Sequence, residues 1–247
     1  IRSYKKLKNF INVHEPSVII HMAAQPLVLE SYRIPLETFD VNVMGTANIL
    51  ESVSGLRNRS YVVAITTDKV YENLETGRKF KEKDKLQGKD PYSASKVGTE
   101  SVVAAWKNIW KVNDSHKICS VRAGNVIGGG DFAKDRLIPD IIRGIQDQTA
   151  IEIRNPASSR PWQHVLDCLN GYQKLVGMEI QNKTESEWNF GPDNLNQCTV
   201  YDLVNYSQKS WGKDLNTKVE SSNKKESAYL ALNSNRSRSE LKWKEKL

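Results

Sequence analysis

Tyr61-Val62-Val63-Ala64-Ile65 runs straight into Thr66-Thr67-Asp68. An unbroken apolar run of this kind reads as a buried strand, with the polar triplet as the loop at its carboxyl end. Working outward, Pro16 to His21 reads the same way and is followed by Met22-Ala23-Ala24-Gln25. Ile118 to Ala123 is a third such run, ending in Gly124-Asn125. Helical spacing fills the gaps. Phe39 to Ser54 places Phe39, Val43, Ala47 and Leu50 on one face, and Gly55 is a natural stop. Tyr92 to Val112 is a long helix, apolar at Val97, Val102, Ala105 and Ile109. Glu72 to Asp90 is polar and charged and reads as a surface loop. Strands alternating with helices predict an α/β fold, a parallel sheet covered by helices on both faces. Ligands of such sheets bind outside the carboxyl ends of the strands, and all three strand ends here carry small or polar residues.

Before the first strand, Ile1 to Phe10 reads as a basic helical piece. After Gly130 the pattern shifts to shorter elements. Helices are expected at Asp135–Ile145, Asp167–Met178 and Thr199–Trp211, strands at Ile151–Ile153 and Trp188–Phe190, and an extended stretch at Trp162–Val165. From Ala228 to Leu247 a strand and a short helix are expected. The expected division is therefore residues 1–130 as the main parallel-sheet domain and 131–247 mainly as a smaller α/β lobe, with some segments returning to the sheet. A length of 247 residues suits one domain with a lobe.

Composition narrows the function. Apolar residues at 38% and charged residues at 26% exclude collagen-like, mucin-like and wholly disordered classes. No apolar run approaches the roughly 18 residues of a membrane span, so no membrane partner is expected. The cysteines Cys119, Cys168 and Cys198 lack CxxC spacing, which argues against a disulfide scaffold or a zinc site and fits a reducing cytoplasm. The histidines show no metal spacing either. The net charge is 36 − 29 = +7, but the basic residues are interleaved with acids such as Glu82 and Asp84. That pattern argues against nucleic acid and for an anionic small molecule.

The sharpest chemical signal is Tyr92-Ser93-Ala94-Ser95-Lys96. Tyrosine and lysine four apart share a helix face. An ammonium beside a phenol favours the phenolate, which can take a hydroxyl proton as hydride leaves the same carbon. Alone the pattern is weak, but it falls among other motifs in order. They are His21-Met22-Ala23-Ala24-Gln25, Asp40-Val41-Asn42-Val43-Met44-Gly45-Thr46, Thr66-Thr67-Asp68-Lys69-Val70-Tyr71, Pro91 to Lys96, and Arg122-Ala123-Gly124-Asn125-Val126-Ile127-Gly128.

With these motifs the chain resembles the extended short-chain dehydrogenase/reductase superfamily, in its nucleotide-sugar branch, over nearly its whole length. Asp68-Lys69, the run Gly128 to Asp140 and the run Arg154 to Asp167 make it most similar to the 4,6-dehydratases that take CDP-glucose. The resemblance implies a Rossmann-type doubly wound parallel sheet, NAD as cofactor and a role in deoxysugar and O-antigen synthesis. It implies that NAD takes hydride from C4 of the glucose and returns it to C6. Tyr92 would take the C4 hydroxyl proton, Lys96 would hold Tyr92 ionised and bind the nicotinamide ribose, and Thr67 would bind the C4 oxygen. Asp68 would act as acid at the C6 hydroxyl and Lys69 as base at C5.

On the same resemblance Ala23, Ala24, Gln25, Asn42 and Thr66 would line the cofactor. Asn125 would face the sugar, Leu137, Ile138 and Pro139 the base, and Arg143 and Arg160 the diphosphate. Trp162 and His164 would complete the substrate side. Family members pair through a helix bundle, so a homodimer or homotetramer through Phe39–Ser54 and Tyr92–Val112 is implied. The superfamily opens with a glycine-rich turn that cradles a pyrophosphate, and Gly45 is the first glycine of this sequence. The chain thus reads as the central part of a longer enzyme, expected by itself to hold NAD weakly or not at all. Two rivals stay open: another nucleotide-sugar dehydratase or 4-epimerase, and a non-catalytic binding protein that keeps the fold.

Overall fold

The computed structural model describes residues 1–179, 187–193, 198–212, 214–220 and 229–247. Its centre is a four-stranded parallel sheet in the order β1 (Val18–His21), β2 (Tyr61–Ile65), β3 (Lys117–Ala123) and β7 (Trp188–Phe190). Register is even, with Val62 opposite Ile118 and Val121 opposite Trp188. Side chains alternate across the strands. Val62, Ala64 and Ile118 face one side and pack with α1 (Tyr4–His14), α4 (Gly45–Ser54) and α5 (Pro91–Asn113). Tyr61, Val63, Cys119 and Val121 face the other and pack with α7 (Val165–Glu179) and the terminal Leu241 and Trp243.

The helix that carries Tyr92 and Lys96 is fixed at both ends by its sequence. Asp90 and Ser93 form a reciprocal capping box, Pro91 occupies the first turn, and Asp114 closes the helix in the left-handed region at φ 44°. Its first turn is also held from outside. The Tyr92 amide donates to Ser31 Oγ at 3.1 Å, from α2 (Val28–Arg33), a short helix that the apolar pattern does not announce.

The expected helix at Phe39–Ser54 is two helices and a turn of different pitch. α3 (Pro35–Phe39) passes into a π-helical turn, Asp40–Met44, and then into α4. The wider turn carries Asn42 to the inside, where it is 1% exposed.

Three expectations need correction. The first strand is not fully buried. β1 lies at the sheet edge with Ile20 40% exposed, and among the described residues no strand pairs with its outer side. The Glu72–Asp90 segment is not merely a solvated loop. Phe80 inserts into a small core with Val70, Tyr71, Leu230 and Leu232, and its backbone pairs with Ala231 and Asn233. Trp162 to Val165 is not one extended stretch. β6 (Gln163–His164) ends where α7 begins.

After residue 130 the chain serves two cores. α7, β7 and the tail complete the sheet's second face. α6 (Leu137–Asp147), β5 (Ile151–Arg154), α8 (Val200–Trp211) and β8 (Thr217–Glu220) build a separate core around Ile141, Ile151, Ile153 and Val204. β8, which pairs in parallel with β5, has no counterpart in the sequence reading. The two-residue β4 (Val126–Ile127) pairs with β6 and links the two cores. The short helix expected in the tail is α9 (Asn235–Glu240). Ala228, where the tail strand is read to begin, lies outside the described residues. Among the described residues no helix is long and apolar enough to cross a membrane, and no cluster of His, Cys, Asp and Glu could hold a metal ion.

Candidate active site

A cleft of about 560 Å³ opens between the carboxyl ends of the strands and the second core. Thr66, Thr67, Asp68, Lys69 and Tyr92 line it from the sheet side. Asn125, Leu137, Ile138 and Pro139 line it from the strand end and α6, and Arg143, Arg160 and Trp162 complete the far wall. Ala23, Ala24, Gln25, Asn42, Lys96 and His164 are not among its lining residues.

Thr67 caps the 3₁₀ turn Asp68–Val70 by accepting the Lys69 amide at 3.3 Å. Its hydroxyl donates to Asp68 Oδ1 at 3.1 Å and lies within hydrogen-bonding reach of the Tyr92 phenol. Asp68 is 2% exposed, and its Oδ2 has no hydrogen-bond partner among the described residues. Burial pushes its carboxyl up to about 6, against the opposing pull of Lys69. A carboxyl in that range can hold a proton and give it away. A Cβ on Gly124 would lie 2.4 Å from Pro161 Cγ and 2.9 Å from Asp68 Oδ2, so glycine is what allows the strand end to close on the carboxyl. Lys69, partly buried, lies on the same wall.

Lys96 departs from the expectation. Its ammonium donates to the Ile65 carbonyl at 3.0 Å rather than sitting against the phenol. Burial pushes the Tyr92 phenol up to about 12, and the Asp68 charge adds to this. Burial also lowers Lys96 to about 8, with Glu100 pulling the other way. At neutral pH the site is thus a protonated phenol beside an ammonium that is anchored to the sheet.

The residues expected at the cofactor divide into two kinds. Asn42 is occupied by the scaffold. Its Oδ1 accepts the Gln25 amide at 2.8 Å, and its Nδ2 donates to the Gln25 carbonyl and to Ser95 Oγ. The Gln25 side chain is likewise bound to Leu27 and Thr38, and the Thr66 hydroxyl donates to Glu100 Oε1 at 2.6 Å. These residues shape the strand ends rather than offer free side chains. Ala23 and Ala24 instead leave backbone uncovered, with Ala23 exposed.

Among the described residues, Lys96 has one recorded acceptor for its three ammonium protons, so donors remain for a ribose hydroxyl. His21 adds an unpartnered acceptor. Thr46 donates its hydroxyl to the Asn42 carbonyl, so His21 Nε2–H donates to Thr46 Oγ1 and Nδ1 is left without a partner. This set of uncovered backbone, ammonium donors and a buried acceptor fits the ribose and nicotinamide of a dinucleotide.

On the far wall Arg143 donates to the Phe132 and Ala133 carbonyls and to Asp140. Arg160 donates to the Ser159 carbonyl, and Trp162 to the Cys198 carbonyl. His164 faces away from the cleft, with Nδ1 accepting the Leu166 amide. Arg136 and Arg154 also line the cleft and were not singled out in the sequence. Their signal was the charge interleaved through the run around α6.

Sequence reasoning also missed Glu100 and Arg122. They form a two-pronged ion pair beneath the Asp68–Val70 turn, at 2.8 and 2.9 Å, with side chains 5% and 3% exposed. The signal was present, since Tyr92, Lys96 and Glu100 recur at intervals of four along one helix face.

The CDP-glucose 4,6-dehydratase of Salmonella typhimurium is 42% identical to this chain over 252 residues, covering 98% of the chain and 70% of that protein. The dTDP-glucose 4,6-dehydratase DesIV of Streptomyces venezuelae, solved with NAD and TYD bound, superposes with a TM-score of 0.83 at 21% identity, covering 100% of this chain and 73% of that one. The UDP-glucuronic acid 4-epimerase of Bacillus cereus, solved with its substrate and NAD, gives a TM-score of 0.84 at 18% identity, covering 98% and 73%. A dehydratase and an epimerase match equally well, so the shared Rossmann-type fold does not select the reaction. From residue 1 to residue 247 the sequence matches the model of one family, and the chain belongs to it: the GDP-mannose 4,6 dehydratase family.

Proposed function

We propose that these residues belong to an enzyme that carries out the NAD-dependent dehydration of CDP-glucose to CDP-4-keto-6-deoxyglucose. The observation that carries the reading is a buried carboxyl raised to about 6, one hydroxyl away from a buried phenol, in a cleft walled by arginines. Epimerisation at C4 needs a proton acceptor at the C4 oxygen only. Elimination of water across C5 and C6 also needs an acid and a second base, and Asp68-Lys69 supplies both. The 42% identity to a CDP-glucose 4,6-dehydratase supports the choice of nucleotide.

When bound, NAD supplies a hydride acceptor and later donor together with positive charge at the floor of the cleft. The chain's own residues handle the protons. Tyr92 first gives up its phenol proton, which the positive charge of bound NAD would favour, and then accepts the proton of the C4 hydroxyl, which Thr67 holds in line. The C4 ketone acidifies the C5 proton, and Lys69 removes it. Asp68 protonates the C6 hydroxyl as it leaves as water. Lys69 returns a proton to C5 when the C6 carbon is reduced. Tyr92 gains the one proton that Asp68 loses, so a turnover draws no net proton from solvent. Ala23, Ala24 and Lys96 would hold the cofactor, while Gln25, Asn42 and Thr66 shape its floor. Asn125 would meet the sugar, Leu137, Ile138 and Pro139 the base, and Arg143 and Arg160 the diphosphate, with Trp162 closing the wall. The domain reading follows, with residues 1–130 for the cofactor and most of 131–247 for the sugar nucleotide.

Exposed Leu36, Phe39 and Met44 before α4 and exposed Ile109 and Val112 on α5 support a homodimer or homotetramer packed through these helices. That Cys119, Cys168 and Cys198 form no disulfide among the described residues supports a cytoplasmic setting.

The test is incubation with NAD and each of CDP-, dTDP-, UDP- and GDP-glucose in heavy water. Mass spectrometry should find loss of one water and one deuterium at C5 from CDP-glucose. Dehydration of the dTDP sugar alone would overturn the nucleotide. Inversion at C4 with no loss of water and no uptake of deuterium would overturn the reaction.

A further inference from the structure

Tyr92, Thr67 and Asp68 account for the cleft-facing chemistry, but the most completely bonded polar group of the site lies beneath it. The Glu100 carboxylate accepts four hydrogen bonds: from Thr66 Oγ1 at 2.6 Å, Ser120 Oγ at 2.7 Å, and Arg122 Nε and a terminal nitrogen at 2.8 and 2.9 Å. Burial alone would raise this carboxyl. The Arg122 fork and the Thr66 and Ser120 hydroxyls outweigh it and hold the group below the ordinary carboxylate range.

Arg122 reaches on with its other terminal nitrogen to the Tyr71 hydroxyl at 2.9 Å and the Glu82 carbonyl at 2.7 Å. Tyr71 in turn donates to Asn189 Oδ1 at 2.7 Å. Thr66 immediately precedes the catalytic turn and Tyr71 immediately follows it. One ion pair therefore grips both ends of the segment that presents Thr67, Asp68 and Lys69. Glu100 also lies one helical turn from Lys96, whose ammonium is bound to the carbonyl of the residue before Thr66.

We infer that Glu100, locked by Arg122, is a positioning residue that fixes the catalytic turn and keeps Lys96 in its charged form. The catalytic consequence rests on the reading under Proposed function, whereas the electrostatic one does not. His21 on β1 feels the Lys96 charge, Tyr92 lies one helical turn before Lys96 on α5 and Glu100 one turn after it, and Arg122 from β3 is bound to Glu100. Among the described residues, only Glu100 acts to raise its titration.

The experiment is carbon-13 NMR of the full chain with lysines labelled at Cε, without substrate or cofactor, Lys96 being assigned by its loss in Lys96→Met. Glu100→Gln should move the Lys96 midpoint down by about one pH unit, roughly tenfold in the ionised fraction. The alkaline limb of turnover should move with it. A purely structural role would lower thermal stability and leave the midpoint in place, and that result overturns the inference. Should Glu100→Gln fail to fold, Thr66→Val replaces it. Amide exchange at residues 66–68 should rise at least tenfold over wild type while α4 stays protected, and unchanged exchange overturns the positioning role. A shifted midpoint in a protein that dehydrates no sugar nucleotide would refute the proposed function and leave the inference standing.

Discussion

The two walls of the cleft are built on opposite principles. On the sheet side Asp68, Tyr92 and Lys96 are 2%, 8% and 5% exposed. Each is displaced from its ordinary titration mainly by burial. On the far side Arg136, Arg143 and Arg154 are partly exposed and hold carbonyls and surface acids. Low dielectric makes a group reactive by making its charged state expensive, and it also demands rigid positions. Wet cations attract an anion without being perturbed themselves. On the proposed function, chemistry would sit on the dry wall and recognition on the wet one, so changes in the two should read out differently.

The largest effect is expected at the base. Tyr92→Phe removes one buried oxygen and should lower turnover of CDP-glucose about 10³-fold with KM little changed, as loss of a proton acceptor does. A fall under tenfold would move the base elsewhere.

Asp68→Asn should lower turnover about 10²-fold and at the same time stabilise the fold. The folded carboxyl titrates near 6 instead of 3.8, so the native state binds more protons between those values and loses stability as pH rises through them. Above pH 6 that cost is fully present. Urea unfolding at pH 7.5 should show the variant more stable by roughly 1–3 kcal/mol. A variant that is both inactive and less stable would contradict the dry-wall argument.

On the wet wall Arg143→Ala should raise KM about tenfold and leave kcat within about threefold, because it removes binding shared by substrate and transition state. Added salt should raise the wild-type KM in the same direction. A kcat collapse would place Arg143 with the catalytic groups.

The smallest signal is a difference of slopes. Burial, then the Lys96 charge, lower His21 to about 4 from 6.5, so its contribution to stability is intact above 6.5 and falls away as pH drops towards 4. Asp68 gains in nearly the same window and masks part of that loss. Asp68→Asn should therefore show the steeper acid-side decline, by up to about 3 kcal/mol between pH 6.5 and 4. Equal slopes would mean that the two groups do not titrate as their surroundings dictate.

Much of this was legible beforehand. The runs at Tyr61–Ile65 and Ile118–Ala123 are strands because only a strand buried on both faces needs unbroken apolar sequence. Asp90, Pro91 and Ser93 mark the start of α5 through local bonding alone. The cleft-lining set from Thr66 to Tyr92 and from Asn125 to Trp162 follows from strand ends and motif order. What failed depends on partners distant in sequence. Phe80 lies in a polar segment and is buried only because Leu230 and Leu232 return to it. β8 pairs with β5 across more than sixty residues of chain. His164 carries no mark of turning away from the cleft until α7 starts beneath it.

The sequence by itself determined which groups could do chemistry here: a phenol, an ammonium four residues on, and a hydroxyl, a carboxyl and a lysine at one strand end. These are identities and local spacings, and helix and strand periodicity convert them directly into a common face and a common edge. Only the tertiary structure decided their states. The Lys96 ammonium went to the Ile65 carbonyl instead of the phenol, the Asp68 carboxyl lost its water, and Glu100 found Arg122 from another strand. Such states are set by desolvation and by charges within a few ångströms, and neither exists until the chain has folded.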